Sequence, residues 1–140
     1  MEKLPYKVVE VKIVMPFTLG PDYDSRMILD HTVTGREGVI QMNHGTVKKG
    51  YALGGGVHEA DEIYYILSGN GKCQLDDDII DVHGDMVIFI PAGTYHALDN
   101  SQGTEDMTIL TFWKNHKDNE SYEKRVEAWG VAYREIEEDK

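Results

Sequence analysis

The chain has 140 residues, a formal net charge of −11, 41% hydrophobic and 28% charged residues, and one cysteine, Cys73. These values suit one globular domain with its own core and exclude an internal disulfide or a cysteine-built zinc site. The negative charge argues against nucleic acid and anionic lipid as partners, and no apolar run approaches the roughly 18 residues that span a bilayer. Met1 and the four residues after it lack the apolar stretch of a secretory signal. The expected setting is therefore the cytoplasm, with a small molecule as partner.

Val9, Val11, Ile13 and Met15 alternate with Glu10, Lys12 and Val14. A period of two predicts a half-buried strand over residues 9–15. Gly20-Pro21-Asp22 predicts a turn, and residues 26–29 and 39–42 predict two strands joined through the glycines at 35 and 38. Residues 63–67, Ile-Tyr-Tyr-Ile-Leu, form an apolar run closed by Ser68-Gly69-Asn70-Gly71. Its brevity and its β-branched and aromatic content favour a strand over a buried helix. The same reasoning covers Ile79 and Ile80, residues 86–90 and residues 107–113. After them, Tyr122, Val126, Trp129, Tyr133 and Ile136 recur at spacings of four and three. They predict one amphipathic helix over about 120–138, with Asn119 or Ser121 as its N-cap. Gly130 inside that helix costs about 1 kcal/mol relative to Ala, so the apolar stripe needs a docking surface. Short strands over about 8–113, Gly/Asp/Asn turns and one late helix predict an all-β barrel or sandwich, in one domain over 1–140.

The chain has six histidines. His31, His83 and His116 lie beside polar residues near turns and element ends, which predicts solvated side chains. His58 differs, because it stands in Gly54-Gly55-Gly56-Val57-His58-Glu59-Ala60-Asp61-Glu62, directly before the apolar strand. On a helix, His58 and Glu62 would share a face, but the glycines before and the β-branched run after oppose a helix. The zinc-protease pattern His-Glu-x-x-His is not matched either, since Glu62 stands where its second histidine belongs. On two strands joined by a bend, the same spacing brings both side chains to one interior point. A polar loop with a charged strand end explains this segment equally well.

His96 adds a second segment. Gly50, Gly56-Val57-His58, Glu62 and Gly69 keep the spacing glycine, five residues, His-x-His, three residues, glutamate, six residues, glycine, except that Gly56 replaces the first histidine. Gly84, Pro91-Ala92-Gly93, His96 and Asn100 keep a second spacing, with six residues after the glycine instead of five. Together these segments resemble the two motifs of the cupin superfamily over about residues 39–113. The resemblance implies a cupin/jelly-roll antiparallel β-barrel with a short C-terminal helix, and a metal site inside it built by both motifs. The implied ligands are His58, Glu62 and His96, on a divalent ion that is Fe, Mn, Ni, Co or Zn. Gly56 cannot ligate through a side chain. Either three ligands remain with open coordination positions, or the metal is lost. His44 is a candidate replacement ligand if its face of the strand points inward; the opposite alternation puts it outside.

A metal with open positions chelates a substrate through two oxygens and acts as a Lewis acid, with Tyr64 or His44 as acid or base. That chemistry suits an isomerase or lyase on a small hydroxy-carbonyl or sugar-like metabolite. The same ligand set suits Fe(II) and oxygen-dependent cleavage. A non-catalytic small-molecule-binding or sensing barrel is the alternative, because fold alone does not settle chemistry. The 9–15 strand and the stripe through Trp129 both need cover, and cupins commonly form dimers through outer strands, so a homodimer is expected.

Overall fold

Residues 41–47 and 107–113 form adjacent strands in which every second side chain is buried. The computed structural model describes residues 6–18, 20–36, 38–114 and 120–136. Its strands are β1 (Phe17–Thr18), β2 (Tyr23–Leu29), β3 (Gln41–Val47), β4 (Ala52–Gly56), β5 (Glu62–Ser68), β6 (Asn70–Leu75), β7 (Asp78–His83), β8 (Met86–Ile90), β9 (His96–Asp99) and β10 (Met107–Trp113). Two helices, α1 (His31–Thr34) and α2 (Glu120–Trp129), complete the described elements with a single 3-10 turn at Val11–Ile13.

The strands form a six-stranded sheet, ordered β1-β2-β3-β10-β5-β8, and a four-stranded sheet, ordered β4-β9-β6-β7. Every pairing is antiparallel. Val47, Ile66, Ile90 and Ile109 from the first sheet meet Cys73, Val82 and Leu98 from the second in one core. Each large apolar side chain buried there contributes roughly 1.5–3 kcal/mol relative to exposure. The result is a jelly-roll barrel, all-β with a short C-terminal helix, whose two sheets are not joined edge to edge.

Two expected elements differ. Residues 9–15 do not form a strand of either sheet. Val14 makes an isolated bridge to Glu135, and Met15 N–H donates to the Arg134 carbonyl at 2.7 Å. The apolar alternation was ambiguous because Val14 interrupts it, and Val14 is the residue that is buried, at 1% exposure, while Ile13 stays 38% exposed. The tail helix stops at Trp129, short of the 120–138 span. Gly130 adopts φ +81 and donates its N–H to the Val126 carbonyl at 2.7 Å, a left-handed C-terminal cap instead of a mid-helix residue. Asn119 lies outside the described residues. The stripe does dock: Tyr122 and Val126 pack on Met27, Trp113 and Ala132, and the Trp129 ring meets Phe17 edge-on at 5.1 Å.

Candidate metal centre

Three constraints bring His58, Glu62 and His96 together. Glu62 opens β5 opposite Ile90 of β8, and the β4–β9 register sets Gly56 opposite His96. The loop carrying His58 is braced by the Pro91-Ala92-Gly93 turn: Gly93 N–H donates to the His58 carbonyl and Ala92 N–H to the Asp61 carboxylate, each at 2.9 Å. Gly93 sits at φ +84, a conformation that glycine adopts without steric cost. The glycine that the motif spacing marks is thus needed for the turn that locks one motif onto the other.

The donor atoms of the three side chains lie within 4.8 Å of one another. His96 Nε2 is 3.3 Å and His58 Nε2 is 3.8 Å from the same Glu62 oxygen, Oε1. The imidazole rings stand 4.9 Å apart. Two ligands bound at about 2.1 Å to one cation lie about 3.0–3.4 Å apart, so the two Glu62 distances are of the right scale. His96 Nδ1 lies 3.0 Å from the Thr94 carbonyl. A carbonyl only accepts, so Nδ1 carries a proton, and Nε2 is the ring nitrogen turned toward Glu62. Glu62 Oε1 is buried and has no hydrogen-bond partner among the described residues. A carboxylate oxygen and two imidazole nitrogens this close to one another form a donor set that fits a divalent metal.

Gly56 borders this cluster on open space: a Cβ there meets nothing within 4 Å, and the same holds at Gly54. Neither residue has a positive φ, so backbone conformation does not require glycine at either position. Tyr64 is buried in the core and meets the His96 ring edge-on at 5.8 Å. Burial, reinforced by the Glu62 charge, raises its pKa well above 10.0, so its hydroxyl stays protonated.

His44 is not brought to this cluster. On β3 the buried positions are Gln41, Asn43, Gly45 and Val47, which leaves His44 on the outer face beside Arg26. Period two allowed either orientation, and Tyr23, whose ring lies against Gly45, fixes which side is inside. His83 is exposed, His31 lies 5.8 Å from the Tyr122 ring, and His116 falls outside the described residues.

Sequence reasoning missed a polar group in the barrel interior. Arg125 of α2 is fully buried and donates to Ser25 Oγ and, at 3.2 Å, to Asn43 Oδ1, while Asn43 also reaches the Tyr23 hydroxyl at 3.5 Å. The signal was present: Arg125 falls on the same helical stripe as Tyr122 and Trp129. Asp61 and Thr94, which brace the loop and orient His96, carry no comparable signal.

Comparison with known proteins agrees with this architecture. No curated protein matches the chain. A predicted oxalate decarboxylase from Thermotoga maritima superposes with a TM-score of 0.69 at 21% identity, over 78% of this chain and 99% of its own. The polyketide cyclase RemF from Streptomyces resistomycificus gives 0.69 at 20% identity, over 77% and 78%. KdgF from Halomonas sp. gives 0.65 at 13%, over 79% and 94%. At these identities the likeness shows the fold. The family model for the cupin domain matches residues 43–113, and the chain belongs to the cupin family.

Proposed function

We propose that this chain is a metal-dependent enzyme acting on a small hydroxy-carbonyl or sugar-like metabolite, with His58, Glu62 and His96 holding a divalent ion. The observation that carries this reading is the buried Glu62 oxygen, set between two imidazole nitrogens and accepting no hydrogen bond among the described residues. When bound, the metal supplies Lewis acidity toward a carbonyl or hydroxyl oxygen of the substrate. The chain's own residues do the rest. Gly56, paired with His96, leaves space beside the ligands in which a substrate sits. His96 is held in one tautomer by Thr94. Tyr64, kept protonated, donates to a substrate oxygen and does not act as a base. The reading includes one working domain, the cytoplasm as its compartment and a homodimer as its assembly.

Elemental analysis of protein purified without added metal tests the centre. The expected result is close to one divalent ion per chain, lost in Glu62→Gln, and a melting temperature that rises with metal only in the parent. Absence of metal from the parent, with no thermal response to Fe, Mn, Ni, Co or Zn, overturns it. Turnover of hydroxy-carbonyl substrates with and without oxygen then separates isomerase or lyase from dioxygenase chemistry. Metal with no turnover across such a panel supports a binding protein instead.

A further inference from the structure

We infer that Gln41 and Trp113 form a hydroxyl-binding subsite beside the metal centre, so that the substrate carries a free hydroxyl beyond the oxygens that the metal takes. This rests on the metal-enzyme reading above and names the substrate class within it.

The register places the pair. On the six-stranded sheet, Gln41 of β3 stands opposite Trp113 of β10, and Phe112 stands opposite Ile63 of β5. One residue further along, the same register sets Trp113 opposite Glu62. Gln41, Trp113 and Glu62 thus share one cross-strand row, in the phase that faces the barrel interior. The next inward row is Asn43, Thr111 and Tyr64, whose ring meets His96. Beyond it the rows turn apolar, with Ile109 and Ile66 and then Val47 and Met107. On these three strands, inward polar side chains are therefore gathered at the end where Glu62 stands.

Both residues of the pair hold a polar atom with nothing to bond. Gln41 is 3% and Trp113 4% exposed. Gln41 Nε2 donates to the Lys114 carbonyl at 3.2 Å, which fixes the amide and leaves Oε1 as its free acceptor. Gln41 Oε1 and Trp113 Nε1 are buried, and neither has a hydrogen-bond partner among the described residues. Folded proteins satisfy the great majority of such atoms, because each one left unbonded is costly. The Trp113 ring is held in place by Met27 and Ala132 and, from α2, by Tyr122 and Val126, so its N–H does not swing toward another acceptor.

The two atoms are complementary to one kind of group. Oε1 only accepts and Nε1 only donates. A hydroxyl does both and satisfies the pair. A carboxylate brings no proton to Oε1, and an ammonium brings no lone pair to Nε1. Water has the same two capacities as a hydroxyl, and a substrate hydroxyl displaces it. Neighbouring strands are about 4.8 Å apart, so a group between Trp113 and Gln41 lies about 5–10 Å from Glu62. A sugar-like chain spans that distance and a two-carbon acid does not.

Calorimetric titration of the manganese-loaded full chain with two six-carbon probes tests this. Gluconate and α-hydroxycaproate offer the metal the same α-hydroxy-carboxylate end, and only gluconate has hydroxyls further along. Trp113→Phe removes the N–H and keeps an aromatic ring. It is expected to weaken gluconate binding about tenfold and to leave α-hydroxycaproate unchanged. Gln41→Met is expected to give the same pattern, and it decides should Trp113→Phe fail to fold. Equal losses for both probes reduce the pair to a packing role and overturn the subsite. Unchanged gluconate affinity in both variants also overturns it and leaves water as the partner of the pair. Gluconate that fails to bind the metal-loaded parent overturns the hydroxyl class and leaves the metal centre standing. If no metal loads, the metal-enzyme reading fails by itself, and gluconate is judged on the metal-free chain. A melting temperature that gluconate raises in the parent and not in Trp113→Phe then upholds the subsite, and no rise in the parent overturns it.

Discussion

Gly56 and Asn100 are both motif positions, and their side chains act in opposite ways. The absent side chain at Gly56 leaves open space beside three potential ligands, on a backbone that accepts other residues. Gly56→His is therefore expected to fold and to add a fourth ligand, tightening metal binding tenfold for each ~1.4 kcal/mol that the imidazole contributes. It is also expected to weaken substrate binding or turnover, because the ring fills the space the substrate uses. Metal titration and ligand titration on one variant check this; tighter metal with unchanged ligand affinity removes the open-position reading. Asn100 is fully buried and its side-chain amide donates to the Val47 carbonyl at 3.1 Å and the Glu105 carbonyl at 2.9 Å. Asn100→Ala leaves both acceptors without that donor and is expected to cost about 2–4 kcal/mol in urea unfolding.

Strands proved more legible in the sequence than the ends of the chain. Residues 107–113 read as a strand because the run is short and rich in β-branched and aromatic residues, and β10 spans those residues in the structure. Residues 9–15 misled because apolar residues at 13, 14 and 15 remove the phase, and the contact with Glu135 decides which one is buried. The cluster of His58, Glu62 and His96 was legible through its spacing, whereas the brace at Asp61 joins it to Ala92, 31 residues away, and the contact of Thr94 with His96, two residues away, uses a backbone carbonyl that residue type does not signal. The α2 helix was legible as an element but not at its end, since Gly130 inside an apolar period gives the same pattern as Gly130 closing it. Gly130→Ala is expected to cost about 1 kcal/mol, read by thermal unfolding, because alanine at φ +81 is strained. Arg125→Ala is expected to cost more, about 2–4 kcal/mol, because the change removes a charged donor from buried Ser25 and Asn43 and the packing of a long side chain.

At the scale of the whole molecule, acid sensitivity just below neutral pH has an assignable source outside the candidate metal centre. Burial and the nearby Arg26 lower the pKa of His44 below 6.5. The unfolded chain thus takes up this proton more readily than the folded one. The stability that His44 contributes is complete above pH 6.5 and is lost as pH falls through the lowered folded-state value. His44→Gln is expected to flatten that part of the stability–pH curve, measured by urea midpoints from pH 7.5 to 5. An unchanged slope would assign the acid response to other groups.

The last strand among the described residues, β10, lies between β3 and β5 within the six-stranded sheet. A ribosome delivers β3 and β5 long before the strand that joins them, so during synthesis both expose backbone donors and acceptors meant for a segment not yet made. The barrel cannot close from its N-terminal side onward, and its assembly awaits translation through Trp113. Chains released before Trp113 are accordingly expected to remain open and to associate through those two strands, which sedimentation of stalled or truncated products reads directly.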